Sequence, residues 1–449
     1  MVGMSPPRGA CVLRPALAGL ASLVGLAALG ACGGDDGGGP DPDASTAVTY
    51  YQHLKPVIDA KCVGCHDEAG IGPFALTTYD ELVEVAGVAL QNVESRTMPP
   101  WPPNPDCADY VGDRSLSDEQ IALFRAWVDG GRIMGDAARP APPLEVEQVR
   151  LSRVDKTLAM PVQYTPRATS DNPDDYRCFV VPWTETTNKY VTGFRAVPGN
   201  PRVVHHVIAF HASPTQVAEY EQLDAAEPGP GYTCFGGSGG PSQSWLGAWA
   251  PGSLGSDLPP GTGLLVEPGS AIILQVHYNV LEAGVEPDLT QVELKLDDSV
   301  TRPARIQPWA NPQWLGSQLM HIPAGEADVM HSFEFDASLV IGGPFTIWSA
   351  SLHMHTLGTR ATASIVRAGG GSECLLQIDD WNFHWQGSYG LRTPPVFDQG
   401  DKLRVECHFD NSPANQPLVG GQPRVPTDVY WGEGTNDEMC LGAFYVTPQ

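Results

Sequence analysis

Positive charge is scarce in this 449-residue chain: 26 Lys and Arg stand against 52 Asp and Glu, for a formal net charge of −26. Such a surface repels phosphate backbones and anionic headgroups, which excludes nucleic acid as a partner and membrane adsorption by charge alone. Long apolar runs are equally rare, and after Leu29 no stretch reaches the roughly 20 residues that a spanning helix needs. Charged residues make up only 17% of the chain and hydrophobic ones 42%, which excludes a disordered polypeptide and provides core material for two or three domains. What is plentiful is turn chemistry. The 42 Pro and 49 Gly punctuate short runs rich in Val, Ile, Thr, Phe and Trp, the pattern of an all-β body with many turns.

The one apolar stretch of note, Pro15 to Leu29, follows Arg8 and Arg14 and ends in Leu29-Gly30-Ala31-Cys32. This resembles a bacterial lipobox, so residues 1–31 are expected to be a lipoprotein signal peptide and Cys32 the acylated first residue of the mature chain. An ordinary secretory signal cleaved near the same place is the alternative. Residues 32–46, rich in Gly, Asp and Pro, read as a flexible tether. The expected location is a bacterial envelope, facing the periplasm or the cell surface, with a lipid anchor in the outer membrane. Export permits disulfides. Cys11 leaves with the signal and Cys32 carries lipid, so eight of the ten cysteines need another account.

Two of them lie in Cys62-Val63-Gly64-Cys65-His66, the C-x-x-C-H arrangement for covalent c-type haem: two thiols to add to the vinyl groups and an imidazole to ligate the iron. A redox dithiol would be expected in a βαβ context, and a zinc half-site lacks a second Cys/His pair nearby. Tyr50 to Ala60 has helical spacing of apolar residues leading into the motif, as the first helix of a cytochrome c does. Met98, in Arg96-Thr97-Met98-Pro99-Pro100-Trp101, is the expected sixth ligand, ahead of Met134. A second helix is predicted from Ser117 to Gly130, opened by a Ser117-x-x-Gln120 capping box with Ile121, Leu123, Phe124, Trp127 and Val128 as its buried stripe. Residues 47–138 thus read as a small all-α cytochrome c domain, and two filled axial positions point to electron transfer at the haem.

From about residue 147 strands dominate, as in Val203 to Phe210, Ala271 to Val280 and Phe345 to His355. Three groups of metal-ligand types sit on or beside them. His353 and His355 are two residues apart, so a strand projects both to one face, while Met354 between them points to the core. Met439, in Asp437-Glu438-Met439-Cys440, offers a third ligand there. His205 and His206 are neighbours whose side chains would diverge on a regular strand, so joint coordination requires a bulge or a strand end. His277 would complete that set. Any one cluster taken singly is equally well read as core or surface histidines.

In that order, His-His, His-Tyr, His-x-His and Met-Cys on a β-rich chain resemble the copper type II, ascorbate-dependent monooxygenases, which include peptidylglycine-hydroxylating and dopamine-hydroxylating members. The resemblance covers roughly residues 150–449. It implies two antiparallel, jelly-roll-like β-sandwich domains, here residues 147–303 and 304–449, with one copper ion on each facing a solvent-filled cleft. His205, His206 and His277 would hold an electron-transfer copper, and His353, His355 and Met439 the catalytic copper that meets O2. The ligand types agree, because a thioether favours the cuprous ion. The resemblance also implies the disulfides Cys407 to Cys440 and Cys178 to Cys234. Cys107 and Cys374 remain, free or bridging the cytochrome to a sandwich. His53, His211, His321, His331, His384 and His408 have no matching role. His384 lies in an aromatic segment, residues 380–385, read as strand core with a cleft-lining position as the alternative.

One departure bears on substrate. Peptide-amidating members of the family hold an anionic terminus through an Arg two residues before His-x-His and through Asn and Tyr just after Met-Cys. Those places here are Ser351, Leu441 and Ala443, so the expected substrate is a neutral small molecule hydroxylated at a C–H bond with O2. The haem is expected to pass electrons from a periplasmic donor to the coppers. The alternative is a non-catalytic haem-copper protein for electron transfer or copper binding. The 9 methionines are scattered, unlike the dense clusters of copper storage, which weakens the copper-buffering form of that alternative.

Overall fold

The computed structural model describes residues 47–67, 72–147, 149–169, 173–234, 237–242, 244–250, 253–280, 284–383, 385–419 and 422–449. The segments expected to be a signal peptide and a tether, together with Cys32 and His384, lie outside the described residues. Residues 47–449 form one compact unit. It is mostly β-sheet with a few helices near its N-terminus.

Two of the N-terminal helices lie where the apolar spacing placed them, and a third, Tyr79–Glu94, was not expected from sequence. A π-helical turn, Tyr50–Leu54, runs into the helix Lys55–Lys61, which ends at Cys62. Helix Asp118–Asp129 starts at the predicted Ser117 capping box, and the helix Tyr79–Glu94 has an equivalent box from Thr78 and Glu81. Reciprocal side-chain bonds to otherwise unpaired N–H groups fix both starts. Tyr50, Leu54, Ile58, Leu82, Ala86, Phe124 and Trp127 form the core between these helices. Of the predicted stripe, Ile121, Phe124 and Trp127 are buried, whereas Leu123 and Val128 are only half-covered at its margin.

Beyond the helices, a six-stranded sheet carries Lys156–Ala159, Lys189–Val197, Thr262–Val266 and Gln291–Asp297. A four-stranded sheet carries Val329–Phe335, Gly358–Val366, Ser372–Ile378 and Lys402–Phe409. Between them runs a ten-stranded sheet that contains the strands bearing the histidines: Val204–Ala212, Ala271–Asn279 and Phe345–His353. Its inner faces supply two separate cores, one around Phe179, Val207, Leu274 and Val276 and one around Ile347, Leu352, Val405 and Phe444. These are sandwich-type cores, and the two regions share one continuous sheet. The join is the strand Arg305–Trp309, which pairs along five residues with Leu441–Pro448 but with Trp245–Trp249 only at Ile306 and Trp245.

The segment after Met98 leaves the helices to pack on the second core. Pro103 bridges to Ile378, Tyr110 to Leu391, and Trp101 packs against the cluster around Tyr389. The cysteines unassigned from sequence form the disulfide Cys107–Cys374, which staples this segment across a separation of 267 residues. Cys178–Cys234 and Cys407–Cys440 are also bonded.

Candidate metal centres

The first cluster is built at a break in strand register. Val204–Ala212 pairs with Ala271–Asn279, but the register shifts between Val204 and His206, opposite Tyr278 and His277. The extra residue is His205, and the bulge lets consecutive side chains reach one place. Ligand atoms of His205, His206 and His277 lie within 4.8 Å of one another. His277 Nδ1 is 3.3 Å from His206 Nδ1, and its other nitrogen, Nε2, faces Asp174 Oδ1 at 2.9 Å. Tyr176 stacks on the His277 ring at 3.9 Å. Together these contacts fix the ring and leave Nδ1 directed at the cluster.

Asp174 also accepts from Asn279 Nδ2 at 3.0 Å and from Thr435 Oγ1 at 2.7 Å. Burial opposes its charge, but the hydrogen bonds from His277, Thr435 and Asn279 outweigh it and hold the carboxyl down to about 2. A permanent carboxylate therefore stands behind His277. Through Thr435 it also touches the loop that carries Met439.

The second cluster forms where a strand stops. The strand ends at His353, and His355 lies just past it, so the single strand face expected from i, i+2 spacing is completed by irregular backbone. The two rings nevertheless converge at 5.0 Å. His353 Nδ1 meets Gln386 Oε1 at 2.5 Å and His355 Nδ1 meets the Asp437 carbonyl at 3.0 Å, which leaves each Nε2 for a ligand. Met354 is fully buried in the core. Glu438 binds the two segments: its carboxyl accepts from the N–H groups of His355 at 2.8 Å, Leu357 at 2.6 Å and Met439 at 3.3 Å. Met439 is buried next to it, and the Cys407–Cys440 disulfide pins the following residue.

Burial lowers the basicity of these imidazoles. His353 falls to about 4 and His355 to about 3, while His206 and His277 also titrate below the usual histidine range. All four are neutral at pH 7, the form that coordinates a metal.

The space between the clusters differs from the expected solvent-filled cleft. The Phe383 ring stacks on His205 at 4.5 Å and meets His355 edge-on at 5.9 Å, so an aromatic side chain bridges them. Trp381, in the same segment, donates from Nε1 to the His355 carbonyl at 3.1 Å. The segment was read from sequence as strand core. It is a loop instead, and Asp174, Gln386, Glu438 and Phe383 all went unassigned from sequence. Ser351 pairs with Ala443, and His353 with Leu441, on neighbouring strands. The three positions that depart from the peptide-amidating pattern thus sit together beside His353.

At the N-terminal helices, Cys62 and Cys65 are the free cysteines among the described residues. Burial pushes the Cys62 thiol up to about 12 and raises that of Cys65, which argues against a reactive dithiol. His66 Nδ1 lies 2.9 Å from the Phe74 carbonyl, so Nε2 is the nitrogen left to coordinate. Met98 is partly buried and its N–H bonds to the Asn92 carbonyl at 3.1 Å, whereas Met134 is 46% exposed.

Residues 161–284 match the N-terminal domain, and residues 320–447 the C-terminal domain, of the copper type II ascorbate-dependent monooxygenases. The chain carries both domains of that family. The description of that family is of copper-dependent monooxygenases. Dopamine beta-hydroxylase of Canis lupus familiaris is 22% identical over 277 residues, 56% of this chain and 39% of that protein. The chain therefore spans about two-fifths of the length of this relative. Among solved structures, those of the infectious bursal disease virus Gx strain and of the VP2 subviral particle of infectious bursal disease virus cover 67% and 68% of the chain, and 74% of each of those chains, at 11% identity. Their TM-scores of 0.17 and 0.16 are too low to indicate a shared fold.

Proposed function

We propose that this protein hydroxylates a C–H bond of a neutral small organic molecule, using two copper ions and electrons delivered through a covalent haem in the same chain. The observation that supports the reading is the clustering of His205, His206 and His277 within 4.8 Å and the approach of the His353 and His355 rings to 5.0 Å, with the nitrogen turned away from the cluster in His277, His353 and His355 already held by protein. Bound copper would supply oxygen activation and one-electron storage, and haem a one-electron source. His205, His206 and His277 would hold the storage copper, and His353, His355 and Met439 the copper that meets O2.

The chain's own residues do the rest. Asp174, Gln386 and the Asp437 carbonyl hold imidazole orientation, and Glu438 ties the Met439 loop to the segment of His355. Ser351, Leu441 and Ala443 offer no cation to a substrate, which supports a neutral one. Cys62 and Cys65 would attach the haem, and His66 and Met98 would hold its iron. Electron supply to copper is supported by the stapled contact: three residues after Met98, Trp101 meets Tyr389 edge-on at 5.3 Å, and Gln386, three residues before Tyr389, bonds to His353. A diacylated Cys32 would hold the protein on the outer membrane, where periplasmic donors reach the haem.

Metal and haem analysis of the purified soluble chain is expected to give one haem and two coppers. Substrate-coupled O2 consumption should disappear in Met439→Ala while the haem remains reducible. A chain that binds both cofactors but consumes no O2 with any neutral organic substrate would instead be an electron carrier.

A further inference from the structure

The three disulfides differ in their surroundings. Cys178 and Cys234 are 0% and 1% exposed, and Cys407 and Cys440 are each 0% exposed. Cys107 and Cys374 are both half-buried and line a cavity of about 210 Å³ together with Asp109, Glu373, Leu391 and Thr393. Thiol–disulfide exchange requires a thiolate to reach one sulfur of the bond, so enclosure in the core protects two of the three, and the cavity leaves the third open to attack.

The third bond also fastens a different kind of structure. Cys374 belongs to Ser372–Ile378, the strand at one edge of the four-stranded sheet. Its register against Gly358–Val366 shifts at Ser364, which leaves Leu375 as a bulge. The segment after Met98 covers this edge: the Asn104 N–H donates to the Gln377 carbonyl at 2.8 Å, and Tyr110 Oη to the Leu375 carbonyl at 3.2 Å. Farther on, the Val111 N–H donates to the Gly390 carbonyl at 2.8 Å, and the Asp109 carbonyl accepts from the Arg392 N–H at 2.9 Å. Cys107 lies between these two holds, so its disulfide fastens the middle of a cover that hydrogen bonds secure only at its ends. The bond spans 267 residues, against 56 and 33 for the others, and so constrains the chain most.

We propose that Cys107–Cys374 is a redox latch, opened by an external dithiol, and that opening it loosens the segment around Cys107 from the sheet edge. A thiolate of the dithiol attacks one sulfur of the bond and forms a mixed disulfide, which the second thiol of the same molecule then displaces. The dithiol ends as a disulfide and Cys107 and Cys374 as thiols, with two electrons and two protons passed from one to the other. Cys178–Cys234 and Cys407–Cys440 stay closed, so the loop that carries Met439 keeps its pin. Opening also slows electron delivery through Trp101 to the second cluster; this consequence rests on the haem reading above, whereas the reduction itself does not.

The test is graded treatment of the purified full chain with dithiothreitol under native conditions, quenched with iodoacetamide and read by peptide mass spectrometry. An untreated sample gives the baseline for Cys62 and Cys65. Cys107 and Cys374 are expected to be alkylated about tenfold or more faster than Cys178, Cys234, Cys407 and Cys440. Trypsin should then cut faster after Arg96 or Arg114, which flank the segment, and a Cys107→Ser/Cys374→Ser double variant should be cut as fast without reductant. The double variant should also melt lower than the parent and keep its copper content. Another disulfide opening as fast, resistance of Cys107 and Cys374 until the chain unfolds, or trypsin cleavage unchanged by reduction would overturn the proposal. If the double variant does not fold, the comparison of the three bonds and the cleavage of the reduced parent decide alone. With the latch shown to open, an unchanged rate of haem oxidation by copper in the double variant would refute the electron route through Trp101 and leave the latch standing.

Discussion

The two histidine clusters lie in one sheet, yet they are backed by opposite kinds of group. Behind His277 stands Asp174, a buried carboxylate held in its charged form. Behind His353 and His355 stand a neutral amide, Gln386, and a backbone carbonyl, Asp437. An anionic partner makes an imidazole a stronger donor and favours the higher charge on a bound metal, whereas neutral partners and a thioether favour the lower. On the proposed two-copper reading, the lesson is that one protein would give two metal ions different preferences while using imidazole in both, by choosing what the far nitrogen touches. The position of each cluster fits this division. The first is fixed inside a strand pair by a bulge, and the second is made where a strand ends and a disulfide-pinned loop arrives.

The largest effect that would break this comparison comes from removing one ligand from each side. Met439→Ala and His277→Ala should each lower the copper content by about one equivalent, and each should abolish coupled O2 consumption, exceeding the roughly 10–100-fold loss that follows removal of an outer partner. They should differ in what survives: Met439→Ala retains haem-driven reduction of the remaining copper. If both variants keep full copper content, the assignment of two three-ligand sites is wrong. Next in size is the outer pair. Asp174→Asn is expected to weaken copper at the first cluster by about 10–100-fold and raise its reduction potential, while Gln386→Ala should act on the second cluster alone. Because Asp174 also holds Thr435, a smaller loss at the second site is expected from the same variant, measurable by competitive chelation.

A smaller, purely structural effect is expected at Glu438. Its carboxyl accepts three buried N–H groups, so Glu438→Ala should destabilise the second region by about 2–4 kcal/mol, read by denaturant unfolding. Glu438→Gln keeps one acceptor oxygen and should cost about half as much. Equal losses would mean that both carboxyl oxygens are needed to hold the Met439 loop.

Much of this site was legible because metal ligands come as local patterns. His-His, His-x-His and Met-Cys can be read within a few residues, and the need for a bulge at His205 follows from the two-residue period of a strand. The supporting groups are not local. Asp174 meets His277 across 103 positions and Thr435 across 261, and nothing in the neighbourhood of an Asp at a strand start announces such partners. The continuous sheet was equally hidden, since it depends on one pairing between Ile306 and Trp245. The Cys107–Cys374 bond shows the same limit from the other side: sequence left two cysteines over, and only geometry could join them.

Phe383 is the residue the two clusters share, and it yields the smallest expected effect. Its ring lies nearly parallel to His205, 22° between planes, and meets His355 edge-on at 77°. Imidazole nitrogens bind metal in the plane of the ring, so a phenyl group over the face of His205 restrains tilt without competing for coordination. Phe383→Leu replaces one apolar body by another of similar bulk, and should cost under about 1.5 kcal/mol in denaturant unfolding with copper content unchanged. If copper is lost from the first cluster only, stacking is what aims His205; if it is lost from both, the ring sets the spacing between the two sites, and the contrast in their outer partners operates only while Phe383 holds them apart.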